Sequence, residues 1–186
     1  MKEVGNILRI LEETKIAIEK NDPIKIKELS NQTINTASLT QDPDNIAVAV
    51  IVYSLGKILE RENYQKYRGW KKFYQNILIY IDGAINSLKK NDENKLRQNL
   101  ENIRSSIGSL SGKLKKYVEE VFRKAQINKA SRIYEHGVSM EQTAKLLGIT
   151  MYELAEYAGQ TGIPDVPESK TKTAKDRIKL AEEMFG

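Results

Sequence analysis

The chain of 186 residues contains no cysteine, and this absence removes several classes of site at once. Without a thiol there are no disulfides, thiolate zinc sites, iron–sulfur clusters or cysteine nucleophiles. The single histidine, His136, leaves only carboxylate-based metal sites, and no acidic run of the calcium-loop type is present. Phosphate-binding glycine loops, dinucleotide fingerprints and hydrolase nucleophile motifs are also missing. We therefore expect no metal, no cofactor and no enzymatic activity.

Long apolar runs are missing too. The longest, Ile46 to Tyr53, is far shorter than the ~20 residues that a membrane-spanning helix needs. Charges are spread throughout residues 1–20, which therefore lack the uncharged segment of a signal peptide. These two absences predict a cytoplasmic protein that does not enter a membrane.

Acidic residues are outnumbered by basic ones in the second part of the chain. Residues 1–63 contain 8 Lys and Arg against 10 Asp and Glu, whereas residues 64–186 contain 22 against 15. This positive excess suits an anionic partner such as duplex DNA. Lysine-rich surfaces are also ordinary in soluble proteins, so composition leaves both interpretations open.

Apolar residues recur at helical spacing along most of the chain and predict an all-α protein. Asp22-Pro23 and Asp42-Pro43 each place an N-cap residue before a proline at the first helical position. The apolar run after Asp42-Pro43 predicts a buried central helix, and Gly56 within it would allow another helix to approach closely. Lys20-Asn21-Asp22 reappears as Lys90-Asn91-Asp92, which suggests two helical hairpins of similar design.

A cluster of glycine and serine over residues 108–112 marks the predicted domain boundary. Before it, residues 1–110 are predicted to form a helical bundle. After it, residues 111–186 are predicted to form a long basic helix, a helix-turn-helix and a C-terminal helix that opens near Thr173. The buried stripe of the long helix is predicted to comprise Leu114, Val118, Phe122, Ala125 and Ile133.

Aromatic and basic residues alternate between Tyr64 and Tyr74. Such a segment can bind nucleic acid, because rings stack on bases and cations meet phosphates. The interpretation that we favour is a helix start whose Tyr67, Trp70 and Tyr74 pack inward while the basic side chains face water.

The stretch from Val138 to Tyr157 carries the spacing of a helix-turn-helix. Ser139 with Gln142, and Thr150 with Glu153, have the form of capping boxes that start two short helices. Gly148 stands before the second start, where a helix that ends in the left-handed conformation needs a residue without a Cβ. The residues predicted to bury the crossing of the two helices are Ala144, Leu147, Ile149, Leu154 and Tyr157.

From Ser131 to Ile163 the chain resembles small prokaryotic helix-turn-helix proteins thought to act as antitoxins beside PIN-domain toxins. The shared positions are Tyr134, Gly137, Val138, Ser139, Ala144, Leu146, Gly148, Ile149, Glu153, Leu154, Glu156, Gly162, Ile163 and Pro164. Thr143 replaces a second small residue of the pattern, and Tyr157 replaces a leucine. The resemblance covers about a fifth of the chain and implies an antitoxin-like regulatory role, while the N-terminal half has no counterpart in it.

Recognition helices normally offer Arg, Lys, Asn or Gln to base edges, and the second helix here offers none of these at its start. Phosphate contacts would instead come from the preceding elements. The candidate DNA-binding residues are Lys124, Lys129, Arg132, Lys145, Thr150, Met151 and Tyr152. They predict a DNA-binding or regulatory protein. The alternative is a helical module that binds a protein partner or a second copy of the chain, in which the helix-turn-helix is structural only.

Overall fold

The computed structural model describes residues 2–40, 42–110, 112–135, 137–147 and 149–161. Within these residues the fold is all-α, as predicted, with eight α-helices and two short 3-10 helices, one at Glu62–Lys66 and one at Ile107–Ser109. The α-helices are α1 (Val4–Glu19), α2 (Pro23–Thr40), α3 (Pro43–Leu59), α4 (Trp70–Lys89), α5 (Glu93–Ser106), α6 (Gly112–Glu135), α7 (Met140–Leu147) and α8 (Met151–Thr161). None of them is both long and apolar enough to cross a membrane.

The helix starts follow the sequence signals. Asp42 accepts a hydrogen bond from the Asp44 amide at 2.9 Å, and Pro43 occupies the first turn of α3. Asp22 accepts from the Lys25 amide at 3.0 Å. These carboxylates satisfy amides that have no partner within their own helix, so each one fixes where its helix begins.

The turns α1–α2 and α4–α5 have the same geometry, which supports the repeat seen in the sequence. Asn21 and Asn91 both adopt left-handed backbone conformations, with φ of 52° and 53°. Each is followed by an aspartate that caps the next helix, and Asp92 accepts from the Lys95 amide at 3.0 Å just as Asp22 does in the first turn. Asparagine tolerates this backbone conformation better than most residues.

Helix α3 lies at the centre of the fold and is buried along most of its length. A Cβ atom added to Gly56 would lie 3.1 Å from Cγ2 of Ile26, so α2 approaches α3 where a side chain is missing, as the sequence predicted. One core cluster joins α3 to α1, α2, α4, α5 and the first half of α6. A second cluster joins α2 and α3 to α6, α7 and α8.

The core continues through the predicted boundary at residues 108–112. Leu110, within this boundary, and Leu114, just after it, belong to the same apolar cluster as Ile51 and Phe73. All five residues of the predicted α6 stripe are buried, and they pack against the preceding helices. This shared core argues against separate folding of residues 1–110, which stays a prediction.

Candidate functional site

Helices α7 and α8 begin at the two predicted capping pairs. The Gln142 amide donates to Ser139 Oγ at 3.2 Å at the start of α7. At the start of α8 the exchange is reciprocal, because the Glu153 amide donates to Thr150 Oγ1 at 3.2 Å and the Thr150 amide donates to Glu153 Oε2 at 2.9 Å. Gly148 lies outside the described residues.

The apolar side of the α7–α8 pair is buried against the rest of the molecule. Ala144 is 3% exposed, and Leu147, Ile149 and Leu154 are also buried. These side chains form one cluster with Ile133 of α6 and with residues of α2 and α3. Tyr157 is only half-buried, and its hydroxyl accepts a hydrogen bond from Asn128 of α6 at 3.2 Å. The pair is therefore held on α6 and α3 as part of the core.

The four predicted phosphate-binding cations do not form one free basic surface. Lys124 is exposed and paired with Glu120 at 2.6 Å, and Arg132 is exposed and paired with Glu135 at 2.9 Å. Lys145 is exposed on α7. Lys129 is 1% exposed, which corrects its assignment as a phosphate contact, since its side chain does not reach the surface.

Lys129 lies between α6 and α3 in an apolar environment. Its Nζ is 4.1 Å from the ring centroid of Tyr53, and it has no hydrogen bond or ion pair within the part of the chain that the structure describes. Burial lowers the pKa of the Lys129 ammonium to about 7, and the charges of Arg132 and Lys57 act in the same direction. The Tyr53 ring therefore provides the main local stabilisation of the cation.

The start of α8 exposes the three residues predicted to face DNA. Thr150 is exposed, Met151 is 51% exposed and Tyr152 is 77% exposed. Glu153, in contrast, is half-buried and forms an ion pair with Arg123 of α6. Its contacts with Thr150, and then with Arg123, lower the pKa of the Glu153 carboxyl. Glu153 is thus engaged in holding α8 on α6.

A groove of about 690 Å³ lies between α3, α6 and α8. Its apolar and aromatic lining includes Tyr53 of α3, Val121 and Ile127 of α6, and Tyr157 of α8. Val121 is buried, whereas Tyr53, Ile127 and Tyr157 are half-buried and so offer part of their surface to the groove. A cavity of this size is within the range that binds organic ligands or side chains of another protein.

Charged residues surround this apolar lining, and most of them are paired with one another. Lys57 pairs with Glu60 at 2.8 Å, and the pairs Lys124–Glu120 and Arg123–Glu153 also line the groove. An apolar centre with aromatic rings and a charged rim is the usual composition of a protein-binding surface. Nothing in the sequence pattern pointed to this groove, because its three walls are far apart along the chain.

Other predicted features lie outside the described residues. These are His136, the extended segment that begins at Gly162, the basic tail and the C-terminal helix near Thr173. Among the described residues, no group of three or more His, Asp or Glu side chains is placed to hold a metal ion. No family model, curated protein or solved structure matches the chain significantly.

Proposed function

We propose that this protein is a non-enzymatic interaction module that binds a helical segment of a partner protein in the groove between α3, α6 and α8. The observation that carries the proposal is the half-buried tyrosine pair, Tyr53 and Tyr157, inside a rim of ion pairs. A helix that lies in such a groove buries its apolar residues on the rings and keeps its charged residues at the rim.

The pairing and the burial of the cations near the groove favour protein binding over DNA binding there. Lys124 and Arg132 are each neutralised by a carboxylate within one helical turn, and Lys129 is buried. A phosphate would have to displace these carboxylates, which reduces the gain from neutralising it. If the antitoxin-like resemblance of residues 131–163 reflects function, the bound partner would be a toxin protein.

A displayed library of helical peptides provides the test, because selection from it does not require the partner to be identified. Peptides selected on the full chain would be measured against the wild type and against Ile127→Arg, which places a charge in the apolar lining. We expect Ile127→Arg to weaken binding at least about ten-fold, since burying an unpaired charge costs more than about 1.4 kcal/mol. Circular dichroism would verify that the variant is folded.

Tyr152→Ala is the matched control, because Tyr152 is exposed on α8 and does not line the groove. It should leave the affinity of the selected peptides unchanged. Peptides that bind Ile127→Arg as well as the wild type, or that lose affinity with Tyr152→Ala, would place the interface elsewhere and refute the proposal. Failure to select any peptide would also count against it.

A further inference from the structure

Four positive charges, with no acidic residue among them, occupy the stretch that leads into α4. They are Lys66, Arg68, Lys71 and Lys72, and all four side chains are exposed. None of them has a hydrogen bond or ion pair within the described residues. This distinguishes them from the exposed cations of α6, such as Lys124 and Arg132, which neighbouring carboxylates neutralise.

The first turns of α6 bring two more unpaired cations to the same region. A Cβ atom added to Gly69 would lie 3.5 Å from Cδ2 of Leu110, just before α6. The ring of Tyr117 on α6 lies 6.1 Å from that of Tyr67. Lys113 is four residues before Tyr117 and shares its side of the helix. Lys116 precedes Tyr117, and both lysines are exposed and unpaired among the described residues.

We call these six residues the cationic patch: Lys66, Arg68, Lys71, Lys72, Lys113 and Lys116. Its acidic neighbours along the chain are Glu60, which pairs with Lys57, Glu62, which is exposed, Glu119, which lies 4.0 Å from Lys115, and Glu120, which pairs with Lys124. These four carboxylates are fewer than the six cations of the patch. The patch therefore keeps a net positive charge. The first turns of α4 and α6 contain no acidic residue, so their lysines add to the positive end of each helix dipole. These like charges repel one another, and a bound anion would reduce that repulsion.

The aromatic rings of this region are directed to the core. Tyr67, Trp70 and Tyr74 are half-buried and pack against the main apolar cluster, as we predicted from the sequence. Tyr74 also donates a hydrogen bond to the Ile18 carbonyl at 3.1 Å. Rings engaged in this way are poorly placed to stack on bases. The patch therefore offers charge without a means of distinguishing one base from another.

We propose that the cationic patch binds the phosphate backbone of nucleic acid without reading its sequence. Lysine and arginine side chains that are not held by carboxylates can each meet a phosphate and release a counterion. Contacts of this kind position a protein on a nucleic acid and carry no sequence information. The patch uses none of the residues that line the α3–α6–α8 groove, so both surfaces can be occupied together.

The experiment measures the affinity of the full chain for short random-sequence duplexes of DNA and of RNA across a salt series. Six phosphate contacts would give a log–log salt slope of about −5, which corresponds to roughly a 1,000-fold loss between about 50 and 200 mM salt. Changing Lys66, Arg68, Lys71 and Lys72 together to glutamine should flatten the slope by up to about 4 and weaken binding to all sequences alike.

The matched control changes four exposed cations outside the patch to glutamine: Lys2, Lys20, Lys27 and Lys90. Lys90 follows the far end of α4, which at 20 residues is about 30 Å long. This control should retain the wild-type affinity and slope, and both variants should keep the wild-type circular dichroism spectrum. Similar affinity for unrelated sequences, with loss only in the patch variant, supports the proposal.

Three results would overturn the proposal. The first is no binding to either duplex at about 50 mM salt, where phosphate contacts are strong. The second is a control variant that loses as much affinity as the patch variant, which would show that overall charge governs binding. The third is binding to vesicles that contain phosphatidylglycerol under conditions where the duplexes do not bind. That result would identify the patch as a lipid-binding surface.

Discussion

Replacing Lys129 by methionine should stabilise the protein, and the gain should depend on pH. Lys129 is buried beside the Tyr53 ring, and its pKa of about 7 lies well below the 10.5 of an ordinary lysine. Each unit of pKa lowered by folding corresponds to about 1.4 kcal/mol that the folded state loses when the group is charged. Burying Lys129 in its charged form therefore lowers the free energy of unfolding by at most roughly 5 kcal/mol.

The direction in which stability changes with pH follows from proton linkage at Lys129. Below about pH 7 the lysine is protonated in both the folded and the unfolded state, and the cost of burying the charge is fully present. Between about pH 7 and 10.5 the unfolded chain binds the proton more tightly, so stability rises with pH. For the wild type this one group should add roughly 2–3 kcal/mol to the free energy of unfolding between about pH 6 and pH 9.

Methionine has similar length and no charge, and its thioether can contact the aromatic ring. Urea unfolding followed by circular dichroism should therefore show Lys129→Met to be more stable than the wild type near pH 6, with a much smaller advantage near pH 9. Lys124→Met is the control, because Lys124 is on the same helix but 70% exposed. If the difference between Lys129→Met and the wild type is the same at both pH values, the pKa of Lys129 is not lowered and the reasoning fails.

Further substitutions test the packing of the α7–α8 pair and the shared core. Ala144→Leu should cost about 1–3 kcal/mol by overpacking, and an unchanged melting temperature would contradict the buried crossing. Thr143 is fully buried, and its hydroxyl has no hydrogen bond within the described residues, so Thr143→Val should stabilise by about 1 kcal/mol in the same assay. Glu153→Gln should lower the melting temperature, because it weakens the capping box and the Arg123 ion pair. A chain that ends at residue 110 should lack a cooperative urea transition, and a sharp one would show that residues 1–110 fold alone.

Local features of the fold were predictable because they depend on residues close together in the sequence. The caps at Asp42 and Thr150 need only a hydroxyl or carboxylate at a fixed spacing from a backbone amide. The burial of Ala144 followed from its place between two helix starts, and the close approach at Gly56 followed from a missing side chain in an apolar run.

The candidate site was predicted less well, because it depends on which helices meet. Lys129 resembled its basic neighbours, although its spacing from Ala125 and Ile133 places it in the buried stripe of α6, and this signal was available in the sequence. The pairing of Lys124 with Glu120 could also have been anticipated from their i, i+4 spacing. The groove could not have been anticipated from the sequence, since Tyr53 and Tyr157 come together only when α8 packs on α6 and α3.

The matching turns at Asn21 and Asn91 show that two connections of the fold use the same local geometry. Each has a left-handed asparagine followed by an aspartate that caps the next helix. The first helices of the two hairpins, α1 and α4, contact each other, and α3 lies between the hairpins along the chain. Either hairpin alone would leave its apolar face uncovered, and the contact between α1 and α4 places both faces in one core cluster, so the two hairpins depend on each other for their burial.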